Sequence, residues 1–169
     1  MSELIYLVGQ ISPKIKETYE WRRKIINHFL PSEGIDFIDP CNNRFNNKLL
    51  STQEYAVGKE KRVDAIDVLP SKDYTYCKRS TMAVVNMNHY DKNKPMLGSF
   101  FELGWYYGMP EKTVIGFAED LNDYQIQHPF VQQAVTVWCK NEVEAAHIIK
   151  EYFVDILGSG FEKEIDVML

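Results

Sequence analysis

The sequence predicts an α/β domain built on a parallel sheet of about five strands with helices on both faces. Short apolar runs alternate along the chain with longer stretches of helical periodicity. The apolar runs close on Gly, Asp-Pro or polar residues, as strands do before a crossover. With 169 residues, 45% of them hydrophobic, the chain can fill one full core and is too short for two ordinary ones, so residues 1–169 are read as a single domain.

Leu4–Gly9 is an apolar run ending in Gly, a first strand. Lys14–Leu30 carries Ile15, Tyr19, Ile26 and Phe29/Leu30 at helical spacing until Pro31 stops it. Ile35–Ile38 is a short strand closed by Asp39-Pro40, and the Asn-rich Cys41–Lys48 is a loop. Ser51–Ile66 has weak helical character. Asp73 opens a short helix through Arg79. Met82–Met87 is a strand, and Ser99–Met109 is a helix that Gly108 and Pro110 end. Thr113–Ala118 and Ala134–Trp138 are strands. Asn141 caps a last helix whose Val143, Ala146, Ile149, Tyr152/Phe153 and Ile156 line one face. Strands alternating with helices join through right-handed crossovers.

Charge excludes one class of function. The net charge is −5 with no basic block, which argues against a nucleic-acid surface and leaves small phosphorylated ligands open. No apolar run approaches the ~20 residues of a membrane span. The N-terminus lacks a basic region before its apolar run and reads as no signal peptide. Cys41, Cys77 and Cys139 are odd in number and widely spaced, as free thiols in a reducing cytoplasm are. His28, His89, His128 and His147 form no metal-ligand spacing, and no cysteine lies near enough to help. No metal and no cofactor are expected. There is no GxxxxGK[ST] loop to support a nucleoside triphosphatase.

The stretch from Met82 to Ala118 reads as strand, polar loop, Gly-Ser turn, helix and strand, with Glu102 on the first turn of the helix. Open α/β sheets hold their ligands at this edge. Glu102 has two readings there. Ser99-Phe100-Phe101-Glu102 matches S-x-x-E, in which Ser and Glu cap each other's backbone amides. The spacing by itself favours this cap; the other reading of a carboxylate among Phe100, Phe101, Trp105 and Tyr106 is a nucleophile. Gly9-Gln10-Ile11-Ser12, after the first strand, can present amides to an anion or a sugar hydroxyl, or can be a plain turn. Asp73, at the start of its short helix, reads as an N-cap.

Four segments resemble the nucleoside 2-deoxyribosyltransferase family, including its relatives that hydrolyse 2′-deoxynucleoside 5′-monophosphates. Ile5-Tyr6-Leu7-Val8-Gly9-Gln10-Ile11 is similar to its opening YLAGP(I/M), and Tyr19-Glu20-Trp21-Arg22 to its W-R. Lys72-Asp73 matches the Asp that begins a short helix before the central strand. Gly98-Ser99-Phe100-Phe101-Glu102-Leu103-Gly104, with Tyr106-Tyr107-Gly108 and the strand that follows, matches G-(T/S)-x-x-E-(L/I)-G-x-A-x-x-x-G-K-P-V. The likeness covers most of the chain. It implies a flavodoxin-like (Rossmann-like) five-stranded sheet and a homodimer or higher homo-oligomer with sites at the subunit interface. The aromatic Ser99–Met109 helix, which holds more large rings than one buried face needs, is the expected contact.

The resemblance further implies Glu102 as nucleophile, Tyr6 as the residue that orients it and Asp73 as support for the sugar. Gly9, Gln10, Asn86, Met96, Gly98 and Ser99 are the expected substrate-binding positions. The partner is then a small nucleoside or nucleotide. The expected activity is cleavage of the N-glycosidic bond of 2′-deoxynucleosides through a glycosyl-Glu102 ester, with transfer to another base. Water as acceptor gives the alternative, an N-glycosidase of nucleotide salvage acting on 5′-monophosphates. A second alternative is a nucleotide-binding module without catalysis. One departure bears on all three. The transferases carry an Asp six residues before the nucleophile to handle the leaving base's proton, and here that residue is Met96. The hydrolases have a small polar residue there. Met donates no proton, so Asp91, with His89 and Tyr90 beside it, becomes the candidate proton donor. Thr81 stands where the family has an Asp before the central strand.

Overall fold

The computed structural model of the chain describes residues 3–12, 14–29, 34–42 and 63–157. Among these residues five strands, β1 (Glu3–Gly9), β2 (Ile35–Ile38), β3 (Met82–Asn86), β4 (Thr113–Phe117) and β5 (Val137–Cys139), alternate with five helices. These are α1 (Glu17–His28), α2 (Val63–Arg79), α3 (Leu97–Tyr107), α4 (Pro129–Ala134) and α5 (Glu142–Leu157). Every pairing is parallel, in the order β2-β1-β3-β4-β5. This is the flavodoxin-like order, and its switch between β1 and β3 opens a crevice at the carboxyl edge of the sheet.

The near-continuous apolar character of β1, β3 and β4 follows from burial on both faces. Ile5, Leu7, Met82, Val84, Ile115 and Phe117 point to one side, where Trp21 and Ile25 of α1 and Ala145, Ala146 and Ile149 of α5 meet them. Tyr6, Val8, Ala83, Val85 and Val114 point to the other, against Cys77, Leu103, Tyr106, Val131 and Ala134 of α2, α3 and α4. The period of two along each strand therefore separates two cores. The Lys112 ammonium donates to the carbonyls of Cys77, Lys78 (2.6 Å) and Ser80 (2.7 Å), closing the end of α2 onto the start of β4.

Several expectations shift. α3 begins at Leu97, with Met96 at its N-cap and no side-chain cap bond, so Ser99 does not cap it. Asp73 opens no helix: α2 runs unbroken from Val63 to Arg79 with Pro70 inside it. Asp73 thus sits mid-helix and is no N-cap. The expected strand Ala134–Trp138 is displaced. His128 in extended conformation followed by Pro129 at the first helical position starts α4 instead, and Ala134 ends it. On α5 the buried face is Ala145, Ala146 and Ile149, while Val143 and Tyr152 are exposed. Asn141 caps α5 as expected, its Oδ1 accepting from the amides of Val143 (3.1 Å) and Glu144 (2.9 Å). On α1 the buried stripe is Thr18, Trp21, Arg22 and Ile25, displacing the apolar face expected at Tyr19 and Ile26. Pro31, residues 43–48 of the expected loop and residues 51–62 of the expected weak helix lie outside the described residues.

Gly116 marks a close approach. A Cβ there would lie 2.8 Å from Cζ3 of Trp138 and 2.9 Å from Cγ1 of Val135, so the indole of β5 rests on bare β4 backbone. Gly116→Ala is expected to destabilise the fold by about 1–3 kcal/mol, the typical cost of overpacking. Urea unfolding checks this, and an unchanged midpoint contradicts the packing.

Candidate active site

α3 buries Ser99, Glu102, Leu103 and Tyr106, residues spaced to share one helical face. That face turns toward β1, where the alternation aims Tyr6 at it. The Tyr6 hydroxyl donates a hydrogen bond to Oε1 of Glu102. Glu102 is 7% exposed. The carboxyl group therefore reaches away from its own helix end, and the S-x-x-E capping reading is not realised. Asp73, half-buried on α2, supplies a second carboxylate whose charge acts on Glu102. One turn on, Tyr76 packs edge-on against Tyr6 at 5.5 Å between ring centroids, and Lys72 lies 5.4 Å from the Tyr76 ring centroid.

Burial pushes Glu102 up to about 8, and the negative charge of Asp73 adds to the rise. The Tyr6 hydrogen bond, Arg22 and Lys72 pull the other way. Burial also lifts Asp73, to about 6, against the pull of Lys72. Tyr6 is held well above its ordinary value by burial and then by the Glu102 charge. The two carboxyls titrate in order. Asp73 ionises beside a neutral Glu102, and Glu102 then ionises against the charge of Asp73. A buried carboxyl poised near neutrality beside a tyrosine and a second carboxylate is what general acid–base or nucleophilic chemistry uses.

Gly9 and Asn86 lie side by side at the carboxyl ends of β1 and β3. Asn86 is buried, accepting from the amide of Asn88 (2.9 Å) and donating to the hydroxyl of Tyr90 (3.3 Å). A Cβ at Gly9 would stand 3.1 Å from that of Asn86 and 3.2 Å from Cζ2 of Trp21, so glycine lets strand and helix close together. Met96 is buried in the apolar cluster with Tyr6, Met87 and Leu103. Gly98 is exposed on the first turn of α3, whereas Ser99 is buried.

Three expected residues spend their polar atoms on one another. Gln10 Nε2 donates to the carbonyls of Asp91 (3.2 Å) and Lys94 (3.0 Å), and its Oε1 accepts from the Asp91 amide (2.8 Å). The Asp91 carboxylate accepts from Ser12 Oγ (3.1 Å) and from the Asn93 amide (3.2 Å), 3.9 Å from the Lys94 ammonium. The Ser12 amide donates to Thr18 Oγ1 (3.0 Å), which removes it from any anion cradle in this turn.

Arg22 is the residue whose role the sequence left unread. Fully buried, it donates from Nε to the Leu7 carbonyl (3.1 Å), from Nη2 to that of Gly9 (2.9 Å) and from Nη1 to that of Thr18. Asp39 approaches it at 3.7 Å and Trp21 stacks on it at 4.5 Å. It fixes the end of β1, hence the strand that carries Tyr6. The available signal was an arginine inside the stripe that α1 turns to the sheet.

A cavity of about 640 Å³ opens between α3 and α4, walled by Phe100, Leu103, Tyr107, Tyr124, Phe130 and Val131 among others, with none of Tyr6, Asp73 and Glu102 in its wall. Among the described residues no cluster of three or more His, Cys, Asp or Glu can hold a metal, and no helix is long and apolar enough to cross a membrane. No protein-family model matches the chain, and no curated protein matches it.

The Glu102 shift has a consequence for stability. Its folded pKa lies above the ordinary 4.5. Its contribution is therefore intact below pH 4.5 and is lost as pH rises through about 8, because the unfolded chain ionises freely and the folded one does not. Glu102→Gln is expected to raise Tm relative to wild type at about pH 8.5 and to change it little at about pH 4.5. Thermal melts at the two pH values check it; a Tm lowered equally at both contradicts the burial account.

Proposed function

We propose that this chain cleaves the N-glycosidic bond of 2′-deoxynucleosides through a covalent glycosyl ester on Glu102 and passes the deoxyribosyl group to a second base. The observation that carries the reading is the buried Glu102 carboxyl, held by the Tyr6 hydroxyl next to Asp73. In the first step an ionised Glu102 oxygen bonds to C1′ as the C1′–N bond breaks, and its electron pair leaves with the base. Tyr6, bonded to Oε1, leaves Oε2 for the attack. The Asp73 charge favours the oxocarbenium-like state between the two bonds. A second base attacking C1′ from the vacated side frees Glu102 with net retention.

Met96 favours a second reading. It brings no proton for the leaving base, and the hydrolases in the resembled family likewise lack an Asp there. In that reading water resolves the ester, and the substrate is a deoxynucleoside 5′-monophosphate. Asp91 as proton source requires it to release Ser12 or Asn93.

The experiment offers each deoxynucleoside and deoxynucleoside monophosphate, with and without an acceptor base, and follows free base and exchanged nucleoside. Exchange supports transfer; free base alone supports hydrolysis. Binding without turnover contradicts both and leaves the binding module. Glu102→Gln is expected to lower turnover at least about 10³-fold with binding kept. The pH profile follows from Glu102. A base that leaves without a proton is cleaved about tenfold faster per pH unit up to about pH 8, where Glu102 is ionised, and no faster beyond. A base that must first take a proton from solution gives a flat profile below that point and a fall above it, since the two requirements oppose. A rate independent of pH through 8 for a readily leaving base contradicts Glu102 as nucleophile.

We also propose that a second copy of the chain covers the outer face of α3 and the cavity beside it. Phe101, Tyr107, Tyr124 and Phe130 there are each more than half exposed, a concentration of large rings that single scattered surface residues do not produce. The protein is expected to sediment as a dimer or larger at micromolar concentration, and a strictly monomeric profile contradicts this.

A further inference from the structure

The loop between β3 and α3 ends on Met96, and α3 starts immediately after it with the Phe100 amide donating to the Met96 carbonyl (3.1 Å). The position of the Glu102 carboxyl is therefore set by where this loop ends. On one side the loop is tied to the turn after β4, since Asn88 Oδ1 accepts from the Glu119 amide (2.9 Å). On the other it is tied to the turn after β1, and there the ties converge on Gln10. Both Nε2 hydrogens and the carbonyl of its side chain are engaged by loop backbone, at Asp91 and Lys94. Ser12 adds a bond to the Asp91 side chain, and Ser12 is itself anchored to α1 through Thr18 Oγ1, while its carbonyl accepts from the Ile15 amide in the turn before that helix. The chain of contact runs from α1 through Thr18, Ser12 and Gln10 into the loop, then to Met96 and α3.

From this geometry we infer that Gln10 is a positioning residue: it clamps the turn after β1 to the loop after β3 and so sets the first turn of α3 that presents Glu102. The inference rests on the proposed role of Glu102. Glutamine suits the task because a primary amide offers two donors and an acceptor in one plane. Asn is one methylene shorter, and Glu has no donor when ionised. With both N–H groups engaged, Gln10 has none left for substrate, so its part differs from the substrate contact expected from the sequence.

The test pairs Gln10→Leu with Gln10→Glu and reads amide hydrogen exchange alongside kinetics. In Gln10→Leu the Asp91 amide loses its acceptor and the Phe100 amide its fixed turn. Both are expected to exchange about tenfold faster or more, while α5 amides keep wild-type protection. Turnover is expected to fall about 10–100-fold with KM changed far less, as for a nucleophile displaced by a fraction of an ångström to about 1 Å. In Gln10→Glu the ionised carboxylate faces the Asp91 and Lys94 carbonyls, whereas the neutral acid donates to one of them. Its exchange and kcat, each as a ratio to wild type at the same pH, are expected to recover toward acid. His89, Asp91 and Lys94 are the charged groups around the clamp, and taking the ratio removes the part of the pH dependence that the two proteins share. Wild-type protection of Asp91 and Phe100 in Gln10→Leu overturns the inference. So does faster exchange that includes α5, which marks general destabilisation, and so does a raised KM with kcat kept, which marks a substrate contact. If the wild type turns over no nucleoside or nucleotide, the proposed function fails, and exchange alone then decides whether the clamp exists.

Discussion

Holding a carboxyl group out of water at Glu102 is the constraint around which this molecule is arranged. An isolated buried carboxylate is costly, and the group answers by holding its proton up to about pH 8. Tyr6 gives it a hydrogen bond, Lys72 and Arg22 a favourable potential, and Asp73 an unfavourable one. A capping glutamate needs none of this, because a cap lies at the rim of its helix in water. The balance of desolvation against partners leaves the group able to ionise near pH 8, and the proposed chemistry draws on that.

The partners of Glu102 come from three elements, so the elements themselves must be fixed. Arg22 gathers the Leu7 and Gly9 carbonyls at the end of β1. Such strand-end carbonyls are otherwise left without partners, and a guanidinium can meet several at once. Lys112 does the same for the end of α2, which carries Asp73. Two buried or half-buried cations thus act on backbone rather than on substrate. Both bind carbonyls at the borders of elements that carry site residues.

The sheet was legible because its signal is redundant. Ile5, Leu7, Met82, Val84 and Ile115 are apolar at every position, and burial on both faces demands that. β2, Ile35–Ile38, was bounded correctly by its closing Asp39-Pro40. Borders set by single backbone choices were not legible. α2 runs through Pro70 without a break, which puts Asp73 in the middle of a helix whose start the sequence placed at Asp73. Ser99 reads as a cap, yet α3 starts two residues earlier at Leu97, with Met96 at its N-cap. At the site, the pairing of Tyr6 with Glu102 came from the family resemblance; the period of each element fixes only the face on which each residue stands. The roles of Gln10, Ser12 and Asp91 were hidden because they depend on two loops meeting across about 80 residues of chain, and loop–loop hydrogen bonds leave no periodic trace.

The central claim is that Glu102 forms a bond to the sugar carbon, and the most direct measurement is to trap that bond. A nucleoside with a readily leaving base and an electron-withdrawing fluorine at C2′ of an arabinosyl ring forms a glycosyl ester that is slow to break, because fluorine destabilises the oxocarbenium-like state. Peptide mass spectrometry after incubation is predicted to find the glycosyl group on the peptide containing Glu102, and none on the Glu102→Gln protein. Release of base with the peptide unmodified, or a label on Asp73 instead, would contradict the account.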